Sequence, residues 1–296
     1  MDSVDGYTYK KVDAFTAGGS LGNPAACLYL KDDETLSDAQ MLEVARGHKG
    51  FVSEVVFCKR GADGNFGLRY FSSECEVPFC GHGTIACMAA LIEDTPALQT
   101  EKEILIHTRL KGDITIYNRL AKQNAVYISA PEPVCLTAPV SAGIVAEKLG
   151  ISETAVSRAY PMELIDAGNR TLIVPIEKFE NVIGMFPNEQ RLKEFTSVND
   201  IDIVLVFCLE TQDKTYAAHT RVFAAKYGYL EDPATGSGNA AFGYYMQKNK
   251  LWDGKEITVE QGGKDRIFNT VHLCVEKGKL LFGGSATTRI DGVYFI

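Results

Sequence analysis

Apolar positions along this chain fall mostly in short alternating or continuous blocks separated by Gly, Asp and Lys clusters, which is the pattern of β-strands. Tyr7 to Phe15, Ala25 to Leu30, Ser53 to Arg60 and Phe66 to Phe71 carry the β-branched and aromatic content of strands. Glu103 to Arg109 and Asp113 to Arg119 flank Leu110-Lys111-Gly112 and predict a hairpin. Ile201 to Leu209 is another strand-sized apolar run, and the stretch from Glu256 to Ile296 predicts further strands. Helical spacing is rarer. Ser37 is a good N-cap for Asp38 to Arg46, Ala142 to Leu149 ends at Gly150, and Ser152 is placed to cap a helix over Glu153 to Arg158.

Two further helices are expected after a repeated turn. Cys80-Gly81-His82-Gly83 precedes an apolar stretch from Thr84 to Leu91, and Thr235-Gly236-Ser237-Gly238 precedes another from Asn239 to Tyr245. A polar or reactive side chain, Gly-x-Gly and then a helix aims backbone N–H groups at one spot, where the helix dipole adds positive potential. Two such turns facing each other suit a small anion, and suggest an enzyme that moves protons on a small carboxylate. A second echo comes in the same order: Val12-Asp13-Ala14-Phe15 with Gly22-Asn23-Pro24, then Ile165-Asp166-Ala167-Gly168-Asn169-Arg170. Together they predict a duplicated fold, two pseudo-equivalent halves with a cleft between them. Ala130-Pro131-Glu132-Pro133-Val134 marks the boundary.

Length and charge narrow the classes. The 296 residues suffice for two domains, and a net charge of −8 argues against nucleic acid while leaving room for a locally positive site. The polar, acidic N-terminus and the absence of a membrane-length apolar run predict a cytoplasmic protein without membrane contact. The eight cysteines read as free thiols, with Cys27, Cys58, Cys208 and Cys274 as small core residues. No metal is expected: Cys75, Cys80 and Cys87 have no second CxxC partner, and the five histidines lack ligand spacing. No phosphate loop, dinucleotide fingerprint or cofactor-linking lysine is present, so no organic cofactor is expected.

Glu54 is a lone carboxylate in an apolar strand, on the face of Val52 and Val56. If buried, desolvation would raise its pKa and fit it to take and return a proton; an edge position facing water is the alternative. His82, between two glycines, is either a donor or acid–base group or a turn histidine bonded to a carbonyl. Asp232, fixed ahead of Pro233, is a candidate catalytic carboxylate or simply a cap of its turn, as are Thr235 and Ser237. Cys80 stands where a helix start lowers a thiol pKa, but Thr235 replaces the second thiol that a symmetric two-base racemase needs. The candidate catalytic set is therefore Glu54, His82 and Asp232. The candidate substrate-binding set is Asn23, Cys80, Gly81, Gly83, Thr235, Gly236, Ser237 and Gly238.

Taken in order, these marks make the chain resemble the PhzF-like (phenazine biosynthesis isomerase-like) family of the diaminopimelate epimerase-like fold. The others are Ser53-Glu54, Arg69-Tyr70-Phe71, Glu76-Val77-Pro78-Phe79, Arg221-Val222-Phe223, Glu231-Asp232-Pro233-Ala234 and Gly283-Gly284-Ser285-Ala286. The resemblance implies an α+β fold of two β-sheet halves, each wrapped around a central helix. It assigns 1–129 to the first half, 130–285 to the second, and a final strand, 286–296, that returns to the first. It implies a cofactor-independent isomerase, commonly a homodimer, in which Glu54 carries a proton and His82, Asp232 and Ser237 bind or assist. The chain departs from the family pattern at Val55, Ser73, Gly83, Gly238, Asn239 and Ala225. Two other readings stay open: a proline-racemase-like hydroxyproline dehydratase using Cys80 and Thr235, and a catalytically silent binding protein.

Overall fold

The computed structural model of the chain describes residues 6–138 and 140–296; the N-terminal run Met1 to Asp5, used above to argue location, lies outside the described residues. The chain forms two compact units, Met1–Ser129 with Gly283–Ile296, and Ala130–Phe282. In chain order the first contains β1 (Gly6–Ala14), β2 (Asn23–Leu30), α1 (Asp38–Gly47), β3 (Glu54–Arg60), β4 (Phe66–Phe71), β5 (Glu76–Val77), α2 (Gly81–Asp94), α3 (Pro96–Gln99), β6 (Glu103–Thr108), β7 (Gly112–Asn118), α4 (Leu120–Gln123) and β8 (Val126–Ser129). The remaining elements are β9 (Val134–Leu136), α5 (Ala142–Leu149), β10 (Glu163–Asp166), β11 (Arg170–Pro175), α6 (Phe179–Ile183), α7 (Glu189–Val198), β12 (Ile203–Cys208), β13 (Ala218–Phe223), β14 (Glu231–Asp232), α8 (Gly236–Lys248), β15 (Ile257–Gln261), β16 (Asn269–Glu276), β17 (Lys279–Gly284) and β18 (Ala286–Phe295).

The two units repeat one pairing scheme. In the first, β1–β2 is antiparallel, β2–β3 parallel, β3–β4 and β4–β5 antiparallel, β4–β6 parallel and β6–β7 antiparallel. In the second the same sequence runs β10–β11, β11–β12, β12–β13, β13–β14, β13–β15 and β15–β16. Even the outer partner of the first strand is matched, by β18 on β1 and β9 on β10, both antiparallel. The fold is of the diaminopimelate epimerase-like class, two pseudo-equivalent sheets each around one helix.

The central helices are α2 and α8. In α2 every residue from Gly83 to Ala90 is buried, and the helix packs on β1, β2, β3, β8 and β18. Gly83, Ala86, Ala89 and Ala90 keep it slim enough to sit inside a curved sheet; a helix apolar on all sides belongs in such a core. α8 is equally enclosed, against β10, β11, β12 and β16. The opposite face of the first sheet is covered by α1, whose Met41, Val44 and Ala45 meet Leu28, Val55 and Phe57. Ser37 and Gln40 form the capping box that starts α1. In the second unit α5, α6 and α7 cover the outer face.

The expected helices at Asp38 to Arg46 and Ala142 to Leu149 and after both turns are present, as is the 103–119 hairpin, where Gly112 turns at φ +73°. The helix expected over Glu153 to Arg158 is not. Ser152 caps only one turn, Glu153–Ala155, and the chain then extends so that Val156 bridges to Ile176. Strand pairing took the residues that the cap had suggested for a helix. α7 was not anticipated; Asn188 starts it by accepting from the Arg191 N–H at 3.0 Å. Among the described residues, no helix is long and apolar enough to cross a membrane.

Candidate active site

Strand alternation aims Glu54. Val55 and Phe57 point to the α1 layer, so Glu54, Val56 and Cys58 point to the α2 layer. Glu54 is the first residue of β3, held in parallel register with Ala25 of β2. Val56 packs against the first turn of α2: a Cβ on Gly83 would lie 2.8 Å from Val56 Cγ2 and 2.9 Å from Cys80 Sγ. The glycine therefore lets the turn approach the strand, and this brings the turn's side chains to Glu54.

Cys80 is the N-cap of α2, and its sulfur accepts from the Gly83 N–H at 3.3 Å. His82 Nε2 lies 3.3 Å from Glu54 Oε2. Cys80 Sγ is 3.9 Å from the same oxygen and 3.5 and 3.7 Å from His82 Nδ1 and Nε2. The Glu54 and His82 side chains are only 18% and 13% exposed. Desolvation pushes the Glu54 carboxyl above its ordinary value of 4.5, against smaller pulls downward from hydrogen bonds with Ser53 and Cys80. A carboxyl with its pKa raised by burial is fitted to take a proton and give it back, with an imidazole beside it to donate or accept. Glu54 is not the solvent-facing edge residue that its strand context left open. The donor atoms of Glu54, Cys80 and His82 lie within 4.8 Å of one another, a group that the spacing of cysteines and histidines along the chain does not show. The strand–turn approach, invisible as sequence spacing, makes that group.

Asn23 is buried at the head of β2, two residues before the register partner of Glu54. Gly81 and Gly83 flank His82 in the first turn of α2, where helix N–H groups point out of the N-terminus.

In the second unit Thr235 is the N-cap of α8, but its side chain does not cap the helix. Its hydroxyl bonds the Asp232 carboxylate instead. Gln261, fully buried, clamps this turn: its Oε1 accepts from Thr235 N at 3.1 Å and Asn239 Nδ2 at 2.7 Å, while its Nε2 donates to the Asp232 carbonyl at 2.8 Å. Ser237 Oγ accepts from Asn169 Nδ2 at 2.9 Å, and Asn169 Oδ1 accepts from Tyr227 OH at 3.2 Å. Gly236 and Gly238 lie buried in the same helical turn. Gln261, Asn169 and Tyr227 were not anticipated as site residues. For Asn169 the signal was available: it repeats Asn23 in the internal echo.

Residues 12–292 match the family model described as phenazine biosynthesis-like protein. The chain belongs to that family. It is 29% identical over 301 residues to antisense-enhancing sequence 1 of Schizosaccharomyces pombe, covering 98% of this chain and 99% of the relative. It is 26% identical over 261 residues to the trans-2,3-dihydro-3-hydroxyanthranilate isomerase of Pseudomonas fluorescens, covering 86% of each. The crystal structure of a PhzF-family phenazine biosynthesis protein from Bacillus anthracis superposes with a TM-score of 0.84 at 26% identity, covering 99% of this chain and 100% of that one.

Proposed function

We propose that this PhzF-family chain is an isomerase that shifts a proton on a small carboxylate substrate, without an organic cofactor, using Glu54 as the acid–base group. The observation that carries the reading is the Glu54 carboxyl itself, desolvated and 3.3 Å from His82 Nε2. In the ionised form Glu54 removes a proton from carbon next to a carboxylate or enamine, and the electron pair moves into the conjugated system. The resulting Glu54 carboxylic acid exchanges with solvent and delivers a proton at a second carbon, so the enzyme ends as it began. His82 donates a hydrogen bond to the developing negative charge, and N–H groups around Gly81-His82-Gly83 supply dipoles for it. In the second unit, N–H groups around Gly236-Ser237-Gly238 form a carboxylate-binding turn, and Asp232 holds Thr235 and that turn in place. Homodimerisation and a cytoplasmic location belong to the same reading; light scattering of the purified protein measures the first.

A second reading has one observation in its favour. Cys80 sits at a helix N-terminus 3.5 Å from His82 Nδ1, a setting that activates thiols. With Thr235 it could eliminate water from hydroxyproline. One experiment separates the two. Deuterium incorporation is followed by NMR in D2O over a panel containing trans-2,3-dihydro-3-hydroxyanthranilate, hydroxyproline and common amino acids. Exchange lost in Glu54→Gln and kept in Cys80→Ala supports the isomerase. Exchange or elimination lost only in Cys80→Ala supports the dehydratase. No exchange by the unaltered protein with any of these substrates counts against both and favours a catalytically silent binding protein.

A further inference from the structure

The outer faces of the two sheets differ at one matched place. Arg69 opposite Phe57 corresponds to Arg221 opposite Val206, so two residues along, Lys59 opposite Gly67 corresponds to Cys208 opposite His219. On the next strand His107 corresponds to Glu260. In the second unit this place is filled. The His219 ring is fully buried, its Nδ1 is 3.0 Å from Glu260 Oε1, and the rings of Phe179 and Phe268 stand edge-on to it at 4.9 and 4.7 Å. Phe179 comes from α6; among the described residues the first unit has no helix between β2 and α1 to match it.

In the first unit the same place is open. Gly67 puts no side chain there, and a Cβ on it would meet only the Lys59 carbonyl oxygen, at 3.7 Å. Glycine weakens the interior of a strand and often marks a place where a ligand comes close to the backbone. Gly67 lines a cavity of about 370 Å³, a size that holds a small molecule. One wall is apolar, made by Leu30, Leu36, Met41 and Phe57 of the core beneath α1.

The charged residues lining the cavity are all basic: Lys59, Arg69, His107 and Arg109. Three of them are paired with carboxylates. Arg69 and Arg109 share Asp38 and Glu76, and His107 lies between Asp63 and Asp113. Lys59 differs. Its ammonium donates to the Glu34 carbonyl at 2.7 Å, while the Glu34 carboxylate accepts from the Lys31 N–H; among the described residues no carboxylate pairs with Lys59. A partly buried ammonium with a neutral partner, beside an apolar wall, suits an anion with an apolar body.

We propose that this cavity binds a small aromatic carboxylate, whose ring lies over Gly67, where the second unit places the His219 ring, and whose carboxylate pairs with Lys59. Lys59 and Phe57 share the α1 face of the sheet, and Glu54 faces α2, so this is a second site that does not depend on the proton-transfer reading.

The test titrates the full chain with 2-naphthoate by calorimetry, with 2-naphthamide as the uncharged comparison. The acid is expected to bind with one site per chain, and the amide about tenfold more weakly. Gly67→Ile fills the space over the strand and should abolish binding, with a Tm equal to or above that of the unaltered protein, because it fills a cavity with a strand former. Lys59→Gln keeps a donor for the Glu34 carbonyl; it should weaken the acid about tenfold and leave the amide unchanged. No binding by the unaltered protein overturns the site. So does binding that survives Gly67→Ile, which would place the ligand elsewhere, such as at the Gly-x-Gly turns. If Gly67→Ile melts lower, Lys59→Gln decides: a loss confined to the acid supports the site, and an equal loss for acid and amide, or none, overturns it.

Discussion

The two units of this molecule share a strand order, a register and a turn, yet they fill corresponding positions with different chemistry. The shared part is framework. Arg69 lies opposite Phe57 and forms two 2.8 Å bonds to Glu76; Arg221 lies opposite Val206 and bonds Glu231 at 2.9 and 2.8 Å. Each guanidinium also stands about 5 Å from a phenylalanine ring, Phe71 in one unit and Phe223 in the other. The same bracket therefore leads into each Gly-x-Gly turn. What differs is the group presented there. The first unit sets a carboxylate, an imidazole and a thiol together. The second has Ile203, Ser237 and Thr235 at the corresponding places, with a network of neutral amides and hydroxyls around one carboxylate, Asp232. Framework repeated with different turn chemistry is the expected outcome when both copies of a duplicated unit keep what folds them while the side chains presented at their turns diverge.

The largest expected effect would break the comparison at its chemical end. Glu54→Gln keeps the size of the side chain and removes the carboxylate proposed as the base. Proton exchange on the responsive substrate should fall about 10²–10⁴-fold in rate. Asp232→Asn retains an oxygen to accept from Thr235, so its loss should be about tenfold and appear mainly in KM, the cost of one weakened hydrogen bond. Steady-state kinetics of the two variants side by side separates a proton carrier from a group that orients its turn. Equal losses in kcat would show that the division of labour is not as drawn.

The framework end gives the next effect. Arg221 is 4% exposed and also donates to the carbonyls of Val182, Ile183 and Met185, whereas Arg69 is 21% exposed. Arg221→Met removes the guanidinium that the Glu231 carboxylate and the Ile183 and Met185 carbonyls share in a buried site, and should cost about 3–5 kcal/mol. Arg69→Met leaves Glu76 a second guanidinium, Arg109 at 3.2 Å, and should cost about 1 kcal/mol. Denaturation midpoints in urea would show the gap. Similar losses would mean that the two brackets are equivalent in energy as well as geometry.

A smaller contrast lies in the turns. A Cβ on Gly83 meets Val56 and Cys80 at 2.8 and 2.9 Å, but on Gly238 the nearest atoms, from Thr235 and Ile203, are 3.2 and 3.3 Å away. Gly83→Ala should destabilise by about 1–3 kcal/mol through overpacking. Gly238→Ala should come out near neutral, since the helix gains about 1 kcal/mol from alanine and the neighbours yield slightly. Thermal melts of both measure it.

The strands, the two central helices and the duplication were legible because each rests on local pattern: alternation, Gly-x-Gly before an apolar run, and landmarks recurring in order. Glu54, His82 and Cys80 were legible as candidates for the same reason, being polar residues where the pattern calls for apolar or small ones. Their mutual contact was not, since it depends on a strand and a helix start meeting at a glycine 29 residues further on, a tertiary event without a sequence period. Gln261 was missed because it sits at the end of an ordinary strand, and its role is to satisfy the turn at 235–239 from across the unit. The Glu153 to Arg158 error has the same root. A local cap signal was overruled by the bridge between Val156 and Ile176.

The smallest effect concerns what the buried carboxylate does to stability. Burial raises the folded pKa of Glu54 above its ordinary 4.5, so in the pH range between those two values the folded chain binds more proton than the unfolded chain. Stability then falls as pH rises through that range and levels off once the folded carboxyl is ionised. Glutamine has no proton to lose. Glu54→Gln should therefore melt higher than the unaltered protein at pH 7.5, with the difference shrinking as pH is lowered toward 4.5. Ile203→Leu at the corresponding place in the second unit should show no such pH-dependent difference. A Glu54→Gln melting gain that did not vary with pH would point to packing rather than charge, and would remove the raised carboxyl on which the proton-shuttle reading depends.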